Sequence, residues 1–414
     1  MQKTIHYTIG YMIPEFPAQT HAFFWREIQA LNKLGVSTEL VSTKRPPNKL
    51  ISHEWAEEAM RSTSYLFPLT MGGFGLCCRA FLSSNPINWF ILLFAIIKTE
   101  EFWGKNALRI MGLALMGIEL AGIAQKKRFR HVHVHSCADS ATVALFAGKL
   151  SGLSYSMTLH GPRLADYGAN QKNKWSHAAF GVAVSDMLMQ ELKECLGGFL
   201  PPILRKAPMG MDVNMSSRKK PYVPWSGVGV CRIFSCARLN KVKRHNDVIE
   251  AVFLLNQDGL PVELHIAGED DSPDGEPRRQ LENLIKTHGL ESRVFLLGAI
   301  SEKAVRKELE EAHLFVLASL NEGISVAAME AMAMSVPVVV TNVGGMPELV
   351  RDGIDGAMVE PAQIQPLKLA IEKVIKSPNL ASKLSVAGRK RVETQFHSGI
   401  SAQVIYECIK ESSI

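Results

Sequence analysis

From Arg232 to Val359 the chain repeats one pattern: a short apolar run, a loop, then a stretch of helical periodicity. The apolar runs are Arg232–Cys236, Val262–Ala267, Val294–Leu297, Leu314–Ala318, Val336–Thr341 and Ala357–Val359. Strand-length runs alternating with helices point to a parallel sheet covered by helices, the α/β class. The pattern also occurs earlier in the chain. Ile5–Ile9, His21–Leu34 and Ser37–Ser42 read as strand, helix and strand, with Phe24, Ile28, Leu31 and Leu34 on one helical stripe. Gly35 sits where a helix-ending glycine belongs. Further strands are expected at His131–His135, Ser154–Leu159 and Ala179–Val184. Between the two series, Lys219, Lys220, Pro221, Pro224, Ser226 and Gly227 read as a linker. The 414 residues therefore divide into a domain at 1–205, a linker at 206–228, a domain at 229–397 and a last helix within 398–414.

One region departs from this alternation. Trp55 to Lys127 is apolar and helical, interrupted by Gly72-Gly73. Trp89, Phe90, Leu92, Leu93, Ile96 and Ile97 read as a helix sunk in a core, with a peripheral membrane contact as the alternative. The longest apolar run, Trp89–Ile97, is nine residues. A bilayer needs about 20 in a helix, so no spanning segment is expected. The first residues lack the apolar core of a signal peptide. Seven cysteines without redox or zinc spacing fit reduced thiols in the cytoplasm. The net charge of +6 is scattered, and no zinc-finger or RNP pattern occurs, so nucleic acid is not an expected partner.

Four segments carry candidate chemistry. In Ser319-Leu320-Asn321-Glu322-Gly323-Ile324-Ser325, a loop leads from a strand into a helix that carries Glu330. Seven residues separate Glu322 from Glu330, which sets the carboxylates on the order of 10 Å apart on a helical rise. That spacing suits two ends of one long ligand. The helix start between them offers N–H groups and a positive dipole end to phosphate, and Gly323 permits close backbone approach. A carboxylate inside the apolar Val326–Met334 helix is rarely buried without a partner. The second segment, Ser235–His245, follows the first strand of the second domain. There Arg238 offers a forked contact to phosphate and Lys243 a point charge. The third, Thr341–Glu348, is a Gly-Gly turn before a helix, either an ordinary turn or a cover for a nucleotide. The fourth places His160 at a strand end in Thr158-Leu159-His160-Gly161-Pro162, as a polar ligand or a structural histidine. His131, His133 and His135 alternate on one strand face, but no fourth ligand is evident and no metal is expected.

These residues resemble glycosyltransferase family 4. Glu322–Ala333 resembles its Glu-(seven residues)-Glu signature, and Pro337-Val338-Val339 and Val343–Val350 resemble the flanking segments. Arg238 and Lys243 match its paired phosphate-binding residues and His160 its first-domain histidine. Val184-Ser185 and Met209-Gly210-Met211-Asp212 are further echoes. Within the family the chain looks most like bacterial exopolysaccharide and colanic-acid-type enzymes, whose Pro-rich loop followed by Thr, Phe and a helix resembles Phe16–Phe23, with Thr20 and Phe23. It departs from the pattern at Ala18-Gln19, at Ser325 in place of Pro and at Arg244 in place of Gly. The first departure leaves acceptor recognition open.

The resemblance implies the GT-B fold: two facing Rossmann-like domains, an interdomain cleft, and a last helix crossing back to the first domain. It implies a retaining, metal-independent hexosyltransferase with a UDP- or GDP-sugar as co-substrate and no cofactor. Arg238 and Lys243 would hold the diphosphate, Glu330 the ribose and Glu322 the sugar. Gly323, Ile324 and Ser325 would complete the donor site, and His160 would stand with Glu322, Arg238 and Lys243 in the catalytic group. The acceptor would be a glycan or lipid-linked glycan at the cytoplasmic face of the inner membrane. A nucleotide-sugar epimerase is the rival enzyme, and a sugar-nucleotide-binding assembly protein the non-catalytic rival.

Overall fold

The computed structural model describes the chain apart from residues 1–6, 19–20, 49–50, 52, 101, 162, 214–215, 271, 273 and 413. The first lobe opens with β1 (Tyr7–Glu15), α1 (Ala22–Lys33), β2 (Val36–Lys44), α2 (Ala56–Ser62) and β3 (Ser64–Phe67). Three apolar helices follow: α3 (Met71–Ser83), α4 (Pro86–Ile97) and α5 (Ala107–Lys127). The lobe continues with β4 (His131–Val134), α6 (Asp139–Ser151), β5 (Ser154–Leu159), α7 (Gln171–Ser176), β6 (Phe180–Ala183), α8 (Asp186–Leu196) and β7 (Ile203–Lys206). The second lobe runs β8 (Cys231–Cys236), α9 (His245–Gln257), β9 (Val262–Ala267), α10 (Glu276–Thr287), β10 (Val294–Gly298) and α11 (Glu302–Glu311). It goes on through β11 (Leu314–Leu317), α12 (Val326–Ala333), β12 (Val338–Thr341), α13 (Met346–Leu349) and β13 (Ala357–Val359). Helices α14 (Ile364–Ile375), α15 (Pro378–Gln395) and α16 (Gly399–Glu411) close the chain.

Both sheets are parallel. The first has the order β3-β2-β1-β4-β5-β6-β7 and the second β10-β9-β8-β11-β12-β13. Strands such as Val338–Thr341 are buried throughout, as a strand covered on both faces must be, which explains their unbroken apolar character. The first strand extends to Glu15, well past the predicted Ile9, and residues 5–6 lie outside the described residues.

The predicted linker is not a loose tether. Met211 pairs with the 396–398 segment, its N–H on Phe396 O (2.7 Å) and its carbonyl accepting from Ser398 N (2.8 Å). The two lobe crossings therefore run side by side. Tyr222 Oη donates to His313 O at 2.7 Å, and Trp225 is buried in the second core. Helix α16 returns to the first lobe, where Ala402, Ile405, Cys408 and Ile409 join its core.

Helices α3 to α5 correct the simple core reading of this region. On α4, Leu92 and Ile96 are buried, but Phe90, Leu93 and Phe94 are exposed. Helix α5 is long and apolar enough to cross a membrane by length and composition, a possibility that the run of nine residues did not suggest. Its buried face, including Leu120, Ala121 and Ala124, joins the first core.

Candidate active site

In the second sheet the strand order reverses between β8 and β11. Open parallel sheets bind ligands at strand carboxyl ends beside such a reversal. The loop after β8 carries Arg238 and Lys243, and the loop after β11 carries Ser319–Ser325 into α12. Leu320 N–H donates to Val242 O at 2.8 Å and ties the two loops together. Asn240 Oδ1 accepts from Lys243 N at 3.2 Å. The next residue, Arg244, is left-handed (φ +51°), which accounts for the family's glycine there. Asp247 holds its guanidinium with bonds of 2.8 and 2.7 Å.

Lys243 Nζ donates to Glu322 Oε1 at 2.6 Å, and Ser319 Oγ donates to the same oxygen at 2.7 Å. Ser325 caps α12 by accepting from Ala328 N at 3.3 Å, so the serine in place of proline keeps the helix start intact. A cavity of about 410 Å³ lies between the lobes. Arg238, Lys243 and Glu322–Ser325 line it from the second lobe, and Phe23 and His160 from the first. Glu330 lines a smaller adjoining cavity of about 100 Å³, which shares Arg238 and the Cys236–Ala237 wall with the larger one. Every predicted site residue that the structure describes lines one or the other of these two cavities, which share a wall. Thr20 lies outside the described residues, as does Pro162.

Gly323 has a second role. A Cβ there would lie 2.1 Å from His160 O, so the glycine lets the first lobe touch the loop that carries Glu322. The Gly344–Gly345 turn packs against this loop. Gly345 N–H donates to Glu322 O at 3.2 Å, and a Cβ on Gly344 would lie 1.9 Å from that oxygen. Glu348 also bridges the lobes, accepting from Asp186 N (2.8 Å) and Met187 N (3.2 Å) at the start of α8.

Sequence reasoning missed Arg26. It projects from α1 across the cleft and donates to Glu330 Oε1 at 2.9 Å and to Glu302. Burial disfavours its charge, but Glu330 and Glu302 more than offset this, and its pKa is raised. Burial raises the Glu330 carboxyl, with Arg26 opposing. Burial also acts to raise Glu302, but Arg26 outweighs it and holds that carboxyl low. In sequence Arg26 lies off the Phe24–Ile28–Leu31 stripe, and Glu302 after Ser301 looks like an ordinary first-turn acid. Neither carries a signal of its own.

His160 sits in a buried row of histidines. Its Nε2 is 3.0 Å from His135 Nδ1, and Phe23 and Phe24 pack against its ring. Burial and His135 lower its pKa to about 3, so it is neutral at physiological pH. His131 and His133 bond to Ser154, Ser156 and Thr158 on the neighbouring strand.

Residues 231–391 match the family described as glycosyl transferases group 1. Among curated relatives, the amylovoran biosynthesis glycosyltransferase AmsK of Erwinia amylovora is 32% identical over 185 residues, covering 43% of this chain and 44% of its own. The putative colanic acid biosynthesis glycosyltransferase WcaL of Salmonella typhimurium is 28% identical over 271 residues, covering 63% of this chain and 64% of its own. These matches span less than two thirds of either relative. Among solved structures, Anabaena Alr3699/HepE in complex with UDP-glucose superposes with a TM-score of 0.74 at 15% identity, over 98% of this chain and 100% of that one. The second lobe is a group 1 glycosyltransferase domain, carried in a chain with the two-lobed GT-B fold.

Proposed function

We propose that the protein transfers a hexose from a UDP- or GDP-sugar to a hydroxyl of a lipid-linked bacterial surface glycan, with the anomeric configuration retained. The observation that carries this reading is the convergence of Arg238, Lys243, Glu322 and the start of α12 on one interlobe cavity. A nucleoside diphosphate is a weakly basic leaving group that needs positive charge more than a proton. Arg238, Lys243 and the helix N–H groups supply it from fixed positions. They take the role a divalent cation would play, so activity should survive chelation. Glu330 takes the ribose in the adjoining space once Arg26 yields its oxygen, and Glu322 orients the sugar. Phe23 and His160 form the acceptor-side wall, and lobe closure excludes water.

No carboxylate of the first lobe lines the larger cavity among the described residues, which favours transfer over epimerisation. The relatives named for amylovoran and colanic acid biosynthesis favour a surface-glycan acceptor. Between Met71 and Ile97 the only charged residue is Arg79, and several apolar side chains there are exposed. That supports a peripheral seat on the cytoplasmic face of the inner membrane. The test begins with a thermal-shift screen against UDP, GDP and their sugar conjugates, since a ligand of the folded state raises apparent stability. Labelled donor is then incubated with a lipid-linked acceptor and the products resolved. Binding without label transfer would support the assembly-protein reading, and altered free sugar nucleotide the epimerase.

A further inference from the structure

The first lobe has a cavity of its own, about 590 Å³, apart from the cleft site. It lies where strand order reverses in the first sheet, between β1 and β4. Pro14, Ser136 and Ala138, just beyond the β1 and β4 pairing, form one wall, and α5 forms the other. In a parallel sheet this is the second place where a ligand is expected.

The walls are mainly apolar, with Leu66, Leu113 and Met116 inside. Two polar atoms in the lining have no partner: Glu119 Oε2 and Ser140 Oγ. Glu119 is 4% exposed and Ser140 2%. A buried polar atom left unpaired is costly, and each such case in a native fold asks for an explanation. Burial pushes the Glu119 carboxyl up to about 7, so near neutrality it offers an O–H as readily as a charge. At the rim stand Lys44, 2.8 Å from Glu15, and Arg109, which donates to Asp139. Hydrocarbon walls, two unmatched oxygens inside and ion-paired side chains at the rim together describe an amphipathic ligand with a polar head.

The mouth of the cavity shows where such a ligand comes from. Phe67, Leu69 and Leu115 line it and are also exposed. They continue the apolar surface of α3, α4 and the start of α5, where Met71 and Leu108 are both 87% exposed. Helices α3 and α4 meet at a 117° bend, so neither covers the other's outer face. A soluble surface rarely carries so large an apolar patch without a partner.

We propose that this cavity is a lipid site: it takes the hydrocarbon chain of a membrane-borne phospholipid-type acceptor, while α3, α4 and the start of α5 rest on the bilayer that supplies it. The head group then points past Lys44 and Arg109. The proposal rests on the lipid-linked acceptor in the reading above, and it names where the lipid is held.

Gly112 provides the test. It lines the cavity in mid-helix, and a Cβ there meets nothing within 4 Å, so a larger side chain grows into open space. Binding of farnesyl phosphate to the full chain is measured by calorimetry, without detergent, beside inorganic phosphate and beside UDP and GDP. Wild type and Gly112→Ala should bind farnesyl phosphate and ignore inorganic phosphate at the same concentration. Gly112→Trp should bind it at least about tenfold more weakly, the loss expected from excluding about two methylenes, with nucleotide binding unchanged. If Gly112→Trp does not fold, Gly112→Leu replaces it. Equal binding by the plugged variant, no binding by wild type, or equal binding of inorganic phosphate would overturn the proposal. Failure of nucleotide binding would sink the transferase reading instead, and it leaves the lipid result readable.

Discussion

Lys243→Ala separates the chemical role of this lysine from its structural one. In the structure its ammonium sits on Glu322 Oε1 at 2.6 Å, with the two side chains 18% and 10% exposed. Removing it has two consequences. The leaving diphosphate loses one fixed cationic donor, worth about 2.7–4 kcal/mol, or roughly 100- to 1000-fold in rate. Glu322 also loses its counter-charge and keeps the Ser319 hydroxyl, which costs about 1–3 kcal/mol of stability for a largely buried group. The second effect is repaired by neutralising Glu322, while the first is not. Lys243→Ala should therefore melt a few degrees early, and Lys243→Ala/Glu322→Gln should recover most of that loss while transfer stays depressed. The assay is turnover of labelled donor at saturating acceptor, with melting followed by circular dichroism. A Lys243→Ala enzyme within about threefold of wild type would refute the reasoning. So would a double variant whose rate returned along with its stability.

The cleft makes three further outcomes checkable. Gly323→Ala puts a Cβ 2.1 Å from His160 O, forcing the lobes apart by about 1 Å. Transfer should fall roughly 100-fold while the isolated nucleotide still binds, as read by kcat and by thermal shift with UDP or GDP. Arg26→Gln leaves Glu302 and Glu330 facing each other across a largely buried site and should destabilise the protein by about 3–5 kcal/mol at neutral pH. That gap from wild type should narrow toward pH 5 as the carboxyls take up protons, measured by urea unfolding. His21, His131, His135 and His160 are each lowered to about 3 by burial. Below pH 6.5 the unfolded chain binds protons that the folded protein refuses. Wild-type stability should therefore fall between pH 6.5 and 5 by up to about 1.4 kcal/mol per pH unit for each histidine, and a flat profile there would contradict this.

Much of the fold was legible because parallel strands covered on both faces must be apolar throughout. Val338–Thr341 shows this, and the end of α1 was legible separately from Gly35, which takes a left-handed φ of +85° just past it. The loop into α12 was legible because Glu330 is a carboxylate inside an otherwise apolar helix, with seven residues between it and Glu322. Three features were not legible. Arg26 owes its role to a partner about 300 positions away, and nothing in its own neighbourhood marks it. The Gly344–Gly345 turn left an ordinary turn and a nucleotide cover both open in sequence, and its close contact with Glu322 O and Gly323 O shows only in three dimensions. The helices from Met71 to Lys127 are apolar on more than one face, so periodicity did not separate the face on the core from the face left exposed.

The central claim is that Arg238, Lys243 and the start of α12 hold a nucleoside diphosphate between the lobes. A crystal structure with UDP or GDP, whichever stabilises the protein, tests it most directly. The account predicts the β-phosphate in the larger cavity, bonded to the Arg238 guanidinium and the Lys243 ammonium, with the ribose hydroxyls on Glu330 and Arg26 moved off that oxygen. A nucleotide bound elsewhere, with Lys243 still on Glu322 and Arg26 still on Glu330, would contradict it.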